Sequence, residues 1–178
     1  LKSVQFINIR QWKFKKSPLV TLKIDSESKG QSSNWLMTPE LDLSNGDVLR
    51  FWTRTVTGST FPDRLQVRLS LAGASVDVGT APSDVGDFTT LLLDINETLT
   101  VGGYPDVWTP YTITLSAIPA GSTGRLAFRY YVPTDAGPTG SNSNYIGIDT
   151  VEFTAGAVSI CSVPSDIPWF SVNPISGT

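Results

Sequence analysis

Two stretches, Asn34-Trp35-Leu36-Met37-Thr38-Pro39-Glu40-Leu41-Asp42-Leu43 and Arg64-Leu65-Gln66-Val67-Arg68-Leu69-Ser70-Leu71, decide the reading of this chain. In the second, Leu65, Val67, Leu69 and Leu71 alternate with Arg64, Gln66, Arg68 and Ser70. A period of two belongs to an extended strand with one side on a core and the other on water. Neither stretch contains a reactive constellation.

The same texture runs outward in both directions. Val20, Leu22 and Ile24 alternate with Thr21, Lys23 and Asp25. Asn45-Gly46 marks a tight turn, because both residues tolerate positive φ. Residues 48–55 follow as a strand with Arg50 and Arg54 among apolar neighbours. Further strands are expected at 111–115, at 125–132 with Leu126, Phe128, Tyr130 and Val132 on one face, and at 145–153. Between them lie Gly/Pro/Ser/Asp loops at 57–63, 79–87, 102–106 and 133–144. Within residues 85–97, Leu91-Leu92-Leu93 reads equally as a strand or as one helical turn. Short strands, polar loops and no helical period indicate an all-β sandwich.

Composition sets the boundaries. The chain has 178 residues, enough for one sizeable core, with 40% hydrophobic and only 16% charged side chains. Its net charge of −3 is uneven: residues 1–30 carry seven basic against two acidic side chains. The cluster Lys13, Lys15 and Lys16 is short and lacks a nucleic-acid module, so it reads as a lysine-protected strand edge. No apolar run approaches the ~20 residues of a membrane span, so no membrane insertion is expected. A single cysteine, Cys161, allows no internal disulfide. No signal peptide is recognisable, which leaves a cytosolic protein or a mature piece of a longer exported chain. After Phe153 the texture changes, favouring a fragment: residues 1–155 read as one domain, and 156–178 as a Pro-rich linker entering a truncated further module.

The chemistry is limited by absence. With no histidine there is no Ser-His-Asp or Cys-His machinery and no His-ligated zinc. Phosphate-cradling glycine loops are missing too, and Gly121-Ser122-Thr123-Gly124 reads as a turn between strands. No enzyme activity is expected. Asp149, in Tyr145-Ile146-Gly147-Ile148-Asp149-Thr150-Val151-Glu152-Phe153, shares strand parity with Val151 and Phe153 and so reads as buried. A buried carboxylate needs relief, from an arginine such as Arg129 or from a hard cation. Calcium suits a histidine-free chain rich in carboxylates because it takes oxygen ligands only. Asp25, Glu27 and Asp63 are the further candidate ligands. Of the five tryptophans, Trp35, Trp52 and Trp108 read as core or half-buried sheet residues, with stacking on a sugar as the alternative. Arg50, Arg54, Arg64, Arg68 and Arg129 read as solvated residues on outer strand faces.

Taken together, several motifs resemble the choice-of-anchor J domain, which is related to the cleaved-adhesin domains of bacterial surface proteins. They are Ser33-Asn34-Trp35-Leu36-Met37-Thr38-Pro39, Leu49-Arg50-Phe51-Trp52-Thr53-Arg54, Pro62-Asp63-Arg64-Leu65, Asp87-Phe88-Thr89-Thr90-Leu91, Trp108-Thr109-Pro110-Tyr111, Leu126-Ala127-Phe128-Arg129-Tyr130 and Tyr145-Ile146-Gly147-Ile148-Asp149. The resemblance covers roughly residues 33–154. It implies an antiparallel two-sheet jelly roll, extracellular display, a non-catalytic adhesin-like role and often structural calcium, but no particular ligand. The short basic opening departs from that pattern. Residues 167–178 resemble the start of an immunoglobulin-like or BACON-type repeat.

The expected function is an accessory, adhesin-like module of a secreted or cell-surface bacterial protein. The alternative is a carbohydrate-binding module attached to a larger extracellular enzyme. Either would meet an extracellular protein or glycan through loops 57–63, 102–106 and 135–144, with other domains of a longer chain as neighbours.

Overall fold

The computed structural model describes residues 8–9, 12–13, 21–24, 30–136 and 140–156. Eleven strands follow in chain order: β1 Asn8–Ile9, β2 Trp12–Lys13, β3 Thr21–Ile24, β4 Ser32–Met37, β5 Leu41–Leu43, β6 Val48–Arg54, β7 Leu65–Ser70, β8 Thr90–Ile95, β9 Thr109–Thr114, β10 Ser122–Val132 and β11 Gly147–Thr154. No helix occurs among the described residues. One sheet runs β1-β11-β6-β9, with β2 also on β11; the other runs β3-β4-β10-β7-β8, with β5 on β10. The long pairs are antiparallel, and only β1 and β2 lie parallel to β11. From β5 onward the chain passes back and forth between the sheets, so neighbouring strands are rarely consecutive. This interleaving is that of a jelly roll.

Alternation drives the two sheets together. Leu49 and Phe51 of β6 and Ile148 and Val151 of β11 face Leu65, Val67 and Leu69 of β7 and Leu126, Phe128 and Val132 of β10. All are buried, each contributing about 1.5–3 kcal/mol on leaving water. Phe51 meets Phe128 edge-on, centroids 5.0 Å apart, which ties one sheet to the other. The Asn45-Gly46 turn forms as expected, with Gly46 at φ 87°. The Asn45 side chain donates to the Ile118 carbonyl and accepts from the Ile118 N–H, pinning this turn, which carries the chain from one sheet to the other, to a second turn distant in sequence.

Of the two readings open for Leu91-Leu92-Leu93, the strand is the one that forms: residues 90–95 complete the edge of the second sheet beside β7. Other expectations need correction. Asp149 is half-buried rather than core. The β6–β11 register shifts between Asp149 and Glu152, and Thr150 sits at φ 49°. Two residues therefore separate the inward Ile148 and Val151, and the bulge keeps Asp149 off the core face. Arg129 lies on the other sheet, opposite Trp35 and Gln66, so it does not relieve Asp149. Arg64 and Arg129 do lie on an outer strand face but are buried there, not solvated. Of the tryptophans expected in the core or half-buried, Trp35 is fully buried, and Trp52 and Trp108 keep 40% and 37% of their surface exposed. The proposed linker and following module fall almost wholly outside the described residues, as does most of the basic opening.

Candidate functional site

Strand direction gathers three loops at one end of the sandwich. β6 ends beside the start of β9 and the start of β11, and β7 starts beside the end of β8. Residues 55–64, 96–108 and 140–146 therefore converge there, the regions expected to carry binding.

A buried polar layer locks them. The inward alternation of β6 continues into Thr53 and Thr55, so hydroxyls follow Leu49 and Phe51 at the loop end. Thr53 Oγ1 donates to the Gly147 carbonyl at 2.7 Å. Its one proton is thereby used, so the Tyr104 hydroxyl donates in their 2.6 Å contact. Burial pushes the Tyr104 phenol well above its usual range, which keeps it a neutral donor. Asp63 has no exposed surface. Its Oδ1 accepts from the Tyr130 hydroxyl at 2.5 Å and from the Asn144 N–H at 2.9 Å, while Oδ2 faces the Thr55 hydroxyl. Thr55 Oγ1 also lies 2.9 Å from the Tyr145 carbonyl. Burial raises the Asp63 carboxyl above the ordinary carboxylate range, and these hydrogen bonds offset part of that rise. Asn96 completes the layer by donating to the Asp63 carbonyl at 2.8 Å.

Two grooves open above this layer. The first, about 410 Å³, lies between residues 58–63 and 100–106, with Phe61 and Val101 exposed at its rim. Asp106 Oδ2 accepts from the Gly58 N–H at 3.1 Å and holds the two loops together. The second, about 400 Å³, is lined by Arg54, Thr57, Trp108, Tyr145 and Gly147, among others. Trp108 lies over Gly147: a Cβ there would come 2.8 Å from the indole Cη2. The glycine thus makes room for the ring. Arg54 is clamped in this groove, Nε donating to the Thr55 carbonyl at 2.9 Å and Nη2 to Thr57 Oγ1 at 2.6 Å.

The expected metal ligands do not assemble among the described residues, where no three acidic, histidine or cysteine side chains form a cluster. Asp63 has no exposed surface and both its oxygens are already hydrogen-bonded within the protein, so it does not fit a calcium ligand. Asp149 Oδ1 accepts from the Thr150 N–H at 2.7 Å, at the bulge of β11 opposite Trp52. Asp25 and Glu27 lie outside the described residues. Sequence reasoning anticipated the loops, and offered Trp108 only as the alternative to a sheet residue, but missed Thr55 and Tyr130 as site residues. A glycine inside a strand, at Gly147, was the available signal for a close approach by Trp108.

Against known proteins, the chain is similar in structure to cleaved adhesin domains of Lys-gingipain from Porphyromonas gingivalis. The K1 domain is 27% identical, with 71% of this chain and 65% of that one covered and a TM-score of 0.47. The K3 domain is 25% identical, covering 70% and 65%, with a TM-score of 0.45. A carbohydrate-binding module of the β-sandwich superfamily is 13% identical over 78% of this chain and 54% of that one, TM-score 0.42. The chain thus spans slightly less than two thirds of the adhesin domains it matches. No protein-family model matches the chain, and no curated protein does.

Proposed function

We propose that this chain is a non-catalytic, adhesin-like binding module of a secreted or cell-surface bacterial protein, engaging its ligand with the loop end of the sandwich. The choice-of-anchor J resemblance over residues 33–154 agrees with this reading. One observation carries it: exposed Phe61, Val101, Val107, Trp108 and Tyr145 are concentrated above a buried hydrogen-bonded layer that holds their loops. Exposed apolar groups on rigid loops favour binding, because little order is lost when a partner arrives. A hydrolytic reading is weaker. Asp63 and Asp106 line the first groove, but Asp63 has no exposed surface to offer a substrate.

The test is to probe the purified domain against a glycan array and a panel of extracellular matrix and serum proteins. Retention of a defined ligand, weakened at least tenfold by Phe61→Ala or Trp108→Ala at unchanged thermal midpoint, is the expected result. No retained ligand on either panel, or release of cleaved product from a bound glycan, sinks the reading.

A further inference from the structure

The second groove combines four features that converge on one chemical class. Trp108 is held over Gly147, and Tyr145, 49% exposed, lines the same space. Aromatic faces of this kind present an apolar platform that can also meet polarised C–H groups. Thr57 lines the rim, its hydroxyl accepting from Arg54 and donating to the Asp106 carbonyl at 3.3 Å. Arg54 lines the wall with only two of its five N–H donors committed to Thr55 and Thr57. No carboxylate is found among the described residues lining this groove. Directly across β11 from Arg54 stands Gly147, which has no side chain to pair with it. The nearby Asp106 directs Oδ2 to the Gly58 N–H, and the outward Glu152 is registered with Arg50 instead. A clamped guanidinium in a groove whose described lining holds no carboxylate, next to an aromatic platform, suits an anion brought by a ligand.

We propose that this groove binds a carboxylated pyranose, with the sugar face against Trp108 and its carboxylate on Arg54. The shared chemistry covers uronic-acid residues and sialic-acid termini. This rests on the reading of the chain as a binding module and specifies the ligand of its loop end. The apolar face of the ring meets the indole, and the planar guanidinium takes a carboxylate by two parallel N–H···O bonds. Clamping by Thr55 and Thr57 fixes the fork beforehand, so little side-chain freedom is lost on binding. A groove of about 400 Å³ suits one or two sugar rings.

The experiment uses the same domain with three glycan sets: glucuronate- or galacturonate-containing oligosaccharides, sialylated glycans, and their neutral counterparts. Binding is read by tryptophan fluorescence and by array retention at low and at 0.5 M salt. One acidic set should bind at least tenfold more tightly than its neutral counterpart, with the preference shrinking in salt, as the ion pair is partly exposed. Which acidic set binds identifies the source of the carboxylate. Trp108→Ala should abolish binding, and Arg54→Gln should remove the acidic preference. Gly147→Ala, which forces the indole to shift while keeping every polar group, should weaken binding. Leu91→Ala, exposed at the far edge of the other sheet, serves as the control. Equal affinity for acidic and neutral sugars, or full binding by Trp108→Ala, overturns the site. If a ligand is then still retained elsewhere on the panels, the binding-module reading survives without it. If nothing is retained at all, both fall.

Discussion

The two sheets of this sandwich bury their inner faces alike and treat their outer faces in opposite ways. On β6, burial alternates strictly: Leu49, Phe51 and Thr53 lie inside, while Arg50 and Trp52 are exposed to solvent. On β4 every residue is buried, and on β7 all but Arg68. The difference is the segment 71–89, which folds over the outer face of the second sheet. Val78 and Phe88 anchor it against Trp35, Met37 and Ala127 in a second apolar cluster. Arginines strap it down by donating to its carbonyls: Arg68 to Phe88 at 3.2 Å, Arg125 to Ala74 at 3.2 Å and Arg129 to Pro82 at 2.5 Å. A loop laid on a sheet leaves carbonyls without ladder partners, and long side chains with several donors satisfy them.

Removing one large side chain from each outer face should separate the two sheets most clearly. Phe88→Ala should cost about 3–5 kcal/mol, because it empties the small cluster and loosens the strap. Trp52→Ala, on the open face, should cost less than about 1 kcal/mol. Urea unfolding of both variants at pH 7 decides the matter. Equal losses would mean that segment 71–89 does not cover its sheet in solution.

The arginines test the same contrast at smaller scale. Arg129 is 1% exposed and lies 3.7 Å from the Tyr131 ring centroid and 4.9 Å from that of Trp35. Its Nε donates to Ser33 Oγ and its Nη1 to Gln66 Oε1. Burial pushes its pKa down to about 10, which still leaves it charged at neutral pH. Arg129→Ala should cost about 2–3 kcal/mol, since buried acceptors lose their donor and two rings lose their stacking partner. Arg50→Ala on the open face should stay within about 0.5 kcal/mol of the parent. Arg129→Lys should recover little, because an ammonium can neither stack nor reach three acceptors in a plane. Thermal midpoints of the three variants rank these effects.

This contrast also explains what the sequence could reveal. The inward sets of β6, β7 and β10 were legible because a period of two states which side of a strand is apolar. Nothing in that period says what lies beyond the polar side. Gln66, Arg68 and Arg129 look the same in sequence whether they face water or the underside of a loop. Within segment 71–89 the sequence shows only a Gly/Pro/Ser/Asp loop at 79–87, because the anchors Val78 and Phe88 are ten residues apart and follow no period. Asp149 was placed in the core because the count of two was carried unbroken through Thr150. A bulge changes that count, and it is decided by pairing with β6 rather than by local residue preference. At the loop end the sequence pointed to the right loops. It could not show that Thr55, Asp63, Tyr130 and the Tyr145 carbonyl meet, since they come from three separate elements.

Asp63 offers the finest test, because its layer is closed to water while the grooves above it are open. The Thr55 hydroxyl has one proton and faces two acceptors, Asp63 Oδ2 and the Tyr145 carbonyl. A neutral Asp63 resolves the conflict: its own proton goes to Thr55 Oγ1, and the Thr55 proton goes to Tyr145. The raised carboxyl pKa points the same way, with burial as its main cause. A carboxyl whose folded pKa exceeds its unfolded value of about 3.9 contributes stability that is full below that value. That contribution is lost as pH rises through the folded pKa. Asp63→Asn keeps an acceptor for Tyr130 and Asn144 and supplies a permanent donor to Thr55. The variant should therefore match the parent near pH 4 and exceed it at pH 7 by about 1 kcal/mol, one net hydrogen bond. Urea midpoints of both proteins across pH 4–8 would show the gap opening with pH. A variant weaker than the parent throughout would mean that the ionised carboxylate, held by Tyr130 and Asn144, is the form the fold selects.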